Sequence, residues 1–142
     1  MLARVAFIDC GISKDHLQSG DQLESCRADV SGVSSSDAHD EAGHGTLCYH
    51  VFNCFAKDCH TIIDIKLLDP KTDTGSHKAL VTVLEWCKDQ QLDVVNMSMG
   101  TRQFSDFAPI TKAIRSLSPA TVVVAAGSNG GWLGVPRRCD RS

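Results

Sequence analysis

A histidine between two glycines is the residue of this chain best suited to acid–base chemistry. The segment Gly43-His44-Gly45-Thr46 holds an imidazole, a group that exchanges a proton near neutral pH. Its glycines allow backbone or substrate to approach closely. Taken alone, the tetrapeptide also fits an ordinary surface loop. Its role therefore depends on which other reactive side chains the fold brings to it.

An aspartate at the end of the first strand is the second candidate. The wholly apolar run Val5–Ile8 is typical of a strand buried in a parallel sheet, and it leads directly into Asp9. Sites in open α/β sheets form at the carboxyl ends of strands, and a buried carboxylate is costly unless it is paired. Capping of the following turn is the alternative role. We interpret the adjacent Cys10 as a small buried residue and not as a nucleophile.

The residues after Thr46 predict the helix that positions the histidine. Apolar side chains recur there at helical spacing, so His44 lies at or just before a helix N-terminus. The helix macrodipole disfavours a positive charge at that end, which keeps an imidazole available as a general base. The apolar stripe consists of Leu47, Val51, Cys54 and Phe55.

Strands and helices alternate through the rest of the chain, which predicts an α/β fold with a parallel sheet and right-handed crossovers. Further strands are predicted at 62–68, 94–97 and 121–125, and residues 13–41 as mostly loop with a short strand near 27–30. One helix is predicted to begin after Ser76 and to end near residue 91. Its inner stripe consists of Leu80, Val83, Leu84 and Cys87. Ser105 or Asp106 is predicted to cap another helix, whose inner stripe consists of Phe107, Ile110, Ile114 and Leu117.

Composition excludes several classes of function. The 142 residues carry a net charge of −3, which is unlike a nucleic-acid-binding surface. No apolar run is long enough for a membrane helix, and the N-terminus shows no signal peptide. The seven cysteines include no CxxC pair, so we expect free thiols and a cytoplasmic location.

Four segments together resemble the subtilisin-like serine peptidases. Asp9-Cys10-Gly11 is similar to the family's D-[ST]-G motif, and residues 40–48 to its D-x-x-G-H-G-T-x-[VC] motif. Residues 94–100 are similar to V-[IV]-N-x-S-x-G, and residues 124–129 to the oxyanion segment. The four matches follow the family's order and cover roughly residues 5–131. They identify the chain as the N-terminal part of a subtilisin-like catalytic domain.

The resemblance implies a role for each matching residue. Asp9 would orient the imidazole of His44, and His44 would act as the general base and then as the general acid. The backbone of Ser98, Met99 and Gly100 would pair with an extended peptide substrate. The oxyanion donor would be Asn129, with Ser128 as the alternative. No cofactor and no metal site is assigned.

The family's nucleophile is missing from the sequence. It lies in a G-T-S-x-[AS] motif, which these 142 residues do not contain. We therefore expect a serine endopeptidase acting on peptides or proteins, of which this chain supplies the aspartate and histidine and is inactive alone. The fold would be a parallel sheet with helices on both faces and an incomplete C-terminal part. Residues 1–131 would form the domain, and 132–142 an irregular basic tail.

Two other functions fit parts of the sequence. A non-catalytic peptide-binding remnant would keep the substrate edge at residues 98–100 without cleaving. A zinc-binding domain is suggested by a cluster of imidazoles and thiols, although it lacks the short cysteine spacing of zinc knuckles. The cluster consists of His44, Cys48, His50, Cys54, Cys59 and His60.

Overall fold

The computed structural model of the protein describes residues 1–69, 71–72, 74–101 and 103–126. Six strands and three α-helices are formed in this part of the chain. In order, they are β1 (Ala3–Asp9), β2 (Gln22–Asp29), β3 (Gly32–Ser35), α1 (His44–Phe55), β4 (His60–Lys66), α2 (His77–Cys87), β5 (Val94–Met97), α3 (Phe104–Arg115) and β6 (Val122–Ala125), with a 3-10 turn at Lys14–His16. Within the described ranges, none of the helices is long and apolar enough to cross a membrane.

The strands form one sheet in the order β3-β2-β4-β1-β5-β6. All neighbours are parallel except β2 and β3, which pair in antiparallel orientation. Helices cover both faces of the sheet, so the predicted α/β architecture is confirmed. The central strands β1, from Val5 onwards, and β4 are buried on both faces, as parallel strands between two helical layers must be, although β4 includes the buried polar residues Thr61, Asp64 and Lys66.

Each face of the sheet has its own core. Ala6 and Ile8 of β1 pack towards α2 and α3, in a cluster that includes Leu84 and Ile110. The alternate β1 residues Val5 and Phe7 pack on the opposite face, together with Ile12, Tyr49 and Ile62. The aromatic rings of Phe7 and Tyr49 meet edge to face, with their centroids 6.2 Å apart. Asp9 continues the Val5–Phe7 row and therefore lies on the α1 face.

The segment predicted as a loop contains a β-hairpin. Strand β2 runs over eight residues and pairs in parallel with β4, and β3 forms the edge of the sheet. The prediction of one short strand near 27–30 was therefore wrong. Burial along β2 is only partial and alternates with exposed positions, which leaves a mostly polar sequence that lacks the usual apolar signal of a strand.

Helix α1 packs on the sheet by a different side from the one that the apolar pattern indicates. Gly45, Thr46 and Tyr49 are its buried residues. The predicted stripe of Leu47, Val51, Cys54 and Phe55 is exposed to solvent. Two small residues and the aromatic Tyr49 provide the contact because the helix approaches the sheet closely at its first turn.

The remaining differences concern the ends of elements. Ser76 caps α2 as predicted, through its side chain and the amide of Ala79, but the helix ends at Cys87 instead of near residue 91. Helix α3 begins at Phe104, so neither Ser105 nor Asp106 is its cap. Asp106 is instead buried inside the first turn, where its carboxylate accepts a 2.6 Å hydrogen bond from Thr101. The predicted boundary at residue 131 and the basic tail lie outside the described residues.

Candidate active site

Asp9 and His44 form a close pair at the carboxyl edge of the sheet. Asp9 is the last residue of β1 and is fully buried, whereas the His44 side chain at the start of α1 is 46% exposed. The imidazole Nδ1 lies 2.9 Å from one carboxylate oxygen of Asp9 and 3.0 Å from the other. A carboxylate can only accept hydrogen bonds, so this contact places the ring proton on Nδ1 and the basic lone pair on Nε2.

The carboxylate of Asp9 is itself held in place. Its Oδ1 accepts a 2.7 Å hydrogen bond from the backbone amide of Cys10. This bond and the pair with His44 offset the cost of burying the charge. A fixed, buried carboxylate can orient an imidazole and stabilise the imidazolium that forms when the ring accepts a proton.

Asp40 anchors the first turn of α1, which carries the histidine. Its Oδ2 accepts hydrogen bonds from the amide of Thr46 at 2.9 Å and from the Thr46 hydroxyl at 2.6 Å, and its Oδ1 accepts one from the amide of Gly43 at 2.8 Å. Burial alone would raise the pKa of Asp40, but these bonds outweigh it and lower the pKa. The carboxylate therefore stays ionised at the helix N-terminus, where the macrodipole favours an anion.

Two glycines allow α1 to approach the end of β1. A Cβ added to Gly45 would lie 2.1 Å from the carbonyl oxygen of Gly11. Gly11 itself has a φ of +131°, and a Cβ there would lie 2.4 Å from the carbonyl oxygen of His39. A larger side chain at either position would push the helix away from the strand, and His44 away from Asp9.

Cys10 is a buried thiol, as the sequence predicted. Its Sγ lies 3.2 Å from Asp40 Oδ1 and accepts a hydrogen bond from the amide of Gly45. Burial is the largest of the effects that raise its pKa to about 12. The thiolate needed for nucleophilic attack is therefore absent near neutral pH.

The end of β5 lies beside the imidazole. Ser98 follows β5, and its hydroxyl lies 3.5 Å from the Sγ of Cys48 and 3.2 Å from the side-chain amide of Asn96. The Sγ of Cys48 in turn lies 3.9 Å from His44 Nδ1. Ser98 and the next two residues line an open groove whose other walls come from α2 and α3, including Leu80 and Ile110.

The structure thus brings together the aspartate, the histidine and the start of the segment 98–100. Asn129 and Ser128 lie outside the described residues, so their predicted role in an oxyanion site stays a prediction. Asp40 was placed in the motif of residues 40–48 but was given no role of its own. Asp40 lies three residues before Gly43, the N-cap residue of α1, so it does not occupy the position at which a capping side chain is expected.

The six imidazoles and thiols of the zinc hypothesis are not assembled into one cluster. His60 is buried and contacts Asp21 and Phe52, whereas Cys54 and Cys59 are exposed. In the described part of the chain, one group of three side chains that could bind a metal ion lies together. It consists of Asp9, His44 and Cys48, whose ligand atoms lie within 4.8 Å of one another.

Comparisons with known proteins agree with this geometry. The sequence model of the Subtilase family, Peptidase_S8, matches residues 3–139. Subtilisin DY from Bacillus licheniformis is 31% identical over 143 residues, covering 92% of this chain and 48% of the relative. The chain therefore spans about half the length of that curated relative.

Two solved structures share the fold. A cold adapted subtilisin-like serine proteinase superposes with a TM-score of 0.62 at 23% identity, covering 87% of this chain and 45% of that one. A lanthipeptide protease superposes with a TM-score of 0.61 at 23% identity, covering 80% of this chain and 34% of that one. At this level of identity, the superpositions show a common fold.

Proposed function

Because the chain belongs to the subtilase family, we propose that it supplies the aspartate and the histidine of a serine endopeptidase site for peptide or protein substrates. The observation that carries the proposal is the contact of His44 Nδ1 with both oxygens of the buried Asp9. Asp9 holds the imidazole, and His44 Nε2 takes the proton of a serine hydroxyl as it attacks the scissile carbonyl. The same nitrogen then returns the proton to the leaving amine.

The serine hydroxyl comes from sequence that these 142 residues do not contain. Since no G-T-S-x-[AS] motif is present, the chain alone forms no acyl-enzyme and is inactive as a peptidase. The groove beside Ser98, Met99 and Gly100 binds the extended substrate through its backbone. Binding of a peptide without cleavage is the second candidate function, and the missing nucleophile motif is the observation that favours it.

A chimera tests the catalytic roles. Residues 1–126 of this chain would replace the matching part of the Bacillus licheniformis relative, and hydrolysis of a fluorogenic peptide would be measured. His44→Ala should lower kcat about 10⁶-fold, and Asp9→Asn should lower it about 10⁴-fold, as in other Asp-His-Ser sites. His50→Ala is the matched control, because His50 is an exposed histidine of the same helix.

The chimera and the unmodified chain test two separate claims about catalysis. If His44→Ala and His50→Ala retain equal activity in the chimera, His44 is not the general base. The unmodified 142-residue chain should neither hydrolyse the peptide nor react with a fluorophosphonate probe. Labelling of that chain would contradict the claim that it lacks its nucleophile.

A further inference from the structure

We propose that His77 selects substrates by a hydrogen bond between its imidazole and the hydroxyl of a substrate tyrosine. His77 is the first residue of α2 and lines the groove beside residues 98–100, together with Asp106 of α3. The inference rests on the function proposed above, because it concerns the peptide that this groove binds. It adds a residue that reads a substrate side chain, whereas the backbone of residues 98–100 pairs with any extended peptide.

Asp106 orients the imidazole of His77. The Nδ1 of His77 lies 3.4 Å from Oδ1 of Asp106, and the two side chains are 40% and 4% exposed. The carboxylate is fixed, since its Oδ2 accepts a 2.6 Å hydrogen bond from the hydroxyl of Thr101. An ionised carboxylate has no proton to donate, so the Nδ1 of a neutral imidazole carries the proton that faces it. The lone pair is then on Nε2, and the partly exposed ring offers it to the groove.

A hydroxyl is the substrate group that fits this imidazole best. It can donate a hydrogen bond to the lone pair of neutral Nε2, and it can accept one if that nitrogen is protonated. An acidic side chain would meet the negative charge of Asp106, which is the one formal charge among the described residues of the groove wall. A cationic side chain would reach this carboxylate poorly, because Asp106 is buried and already accepts from the hydroxyls of Thr101 and Ser105.

The apolar part of the groove fits an aromatic ring. The groove has a volume of about 530 Å³, which lies in the range of pockets that enclose a small ligand. Tyrosine combines a large apolar ring with a hydroxyl that needs a partner when it is buried. Phenylalanine would fill the same space but leave the imidazole without its hydrogen bond. The apolar side chains of the wall are Leu68, Leu80, Met99 and Ile110.

One position of the substrate should be read in this way. Side chains alternate along an extended peptide, so a residue whose side chain enters the groove has neighbours that point away from it. Tyrosine should therefore be favoured over phenylalanine at one position and not at the positions next to it.

Peptide binding to the unmodified 142-residue chain tests the proposal without catalysis. Labelled peptides would carry one tyrosine or one phenylalanine at successive positions of a fixed sequence, and fluorescence anisotropy would give the Kd of each. At one position, we expect the tyrosine peptide to bind about ten-fold more tightly than its phenylalanine counterpart. The chimera described above should show the same ten-fold preference in kcat/KM for the corresponding fluorogenic peptides.

Two histidine variants provide the specificity control. His77→Phe keeps an aromatic ring but removes both nitrogens, so the ratio between the tyrosine and phenylalanine peptides should fall to about one. His16→Phe is the matched control and should keep the ten-fold ratio, since His16 is exposed and does not line the groove. Circular dichroism would verify that both variants retain their fold.

Nitrogen-15 NMR of the imidazoles tests the positioning role of Asp106. At about pH 8, where an ordinary imidazole is neutral, His77 should carry its proton on Nδ1. Asp106→Ala should remove this preference and lower the tyrosine ratio several-fold. His77 protonated on Nε2 in the unmodified chain would contradict the positioning role even if the variant does not fold.

Three results would overturn the proposal. The first is equal use of tyrosine and phenylalanine at every position, in binding and in hydrolysis. The second is a tyrosine preference that His77→Phe leaves intact or that His16→Phe also abolishes. The third is a stronger preference for lysine or glutamate at the same position, because charge would then be recognised in place of a hydroxyl. Selective binding to the chain with an inactive chimera would refute the proposed function alone. Hydrolysis that depends on His44 but does not distinguish tyrosine from phenylalanine would refute the role of His77 alone.

Discussion

Replacing Gly45 by alanine tests the close contact that brings α1 to the end of β1. In an ordinary helix, this change is favourable by about 1 kcal/mol, because alanine is the better helix former. Here the new Cβ would lie 2.1 Å from the carbonyl oxygen of Gly11. That atom belongs to the backbone and cannot rotate away, so the start of the helix must shift by about 1 Å.

The expected loss of stability follows from this shift. Overpacking of a core contact costs about 1–3 kcal/mol, and weakening the charged hydrogen bonds between His44 and Asp9 costs roughly as much again. After the gain of about 1 kcal/mol in helix propensity, we expect a net loss of about 1–5 kcal/mol. With an m-value of about 2 kcal/mol/M, this lowers the midpoint of urea unfolding by roughly 0.5–2.5 M.

Urea unfolding of Gly45→Ala and Gly75→Ala, followed by circular dichroism, measures the effect. Gly75 is the control, because its nearest neighbour to an added Cβ is a movable leucine side-chain atom at 3.2 Å. Gly75→Ala should be neutral or stabilising by up to about 1 kcal/mol through the unfolded chain. An unchanged or raised midpoint for Gly45→Ala would refute the close packing of α1 against Gly11.

Three further predictions concern the surroundings of the site. Asp40→Ala should lower stability by about 2 kcal/mol in urea unfolding, because the start of α1 loses its anion, whereas the exposed Asp37→Ala should not. Burial raises the pKa of Asp64 to about 7, so the folded state binds more protons than the unfolded state and loses stability as pH rises from about 4 to 7. Asp64→Asn should remove that loss, and an unchanged pH profile of the unfolding free energy would contradict it. Iodoacetamide should modify the exposed Cys54 and Cys59 in the native protein. It should modify the buried Cys10 and Cys87 only after the protein is unfolded, as peptide mass spectrometry would show.

Local signals predicted the elements whose environment is uniform along their length. Strands β1, β5 and β6 follow from short apolar runs and β4 from a largely apolar segment, although β6 is mostly exposed; α2 follows from a stripe that matches its buried side. Prediction failed where strand pairing or packing against a neighbouring element determines the structure. Strand β2 is held by its pairing with β4, although its own sequence is mostly polar.

Helix α1 shows the same limit for side-chain packing. Its apolar residues predicted a buried stripe, but the helix packs by Gly45, Thr46 and Tyr49. Tyr49 is fully buried, and its hydroxyl donates to Asp21 and accepts from the amide of Gln18. No periodicity in the helix shows that partners for this hydroxyl lie in a distant loop.

The sequence by itself determined the chemistry available to the site. It contains an aspartate after a buried strand, a histidine between glycines and no serine motif of the family, and their order along the chain carries the resemblance. The tertiary structure alone decided the distances. His44 and Asp9 are 35 residues apart, and Nδ1 reaches the carboxylate at 2.9 Å because Asp40 holds the first turn of α1 and two glycines allow close approach. It also decided which apolar side chains remain uncovered, since burial depends on what packs against a surface and not on the side chain alone.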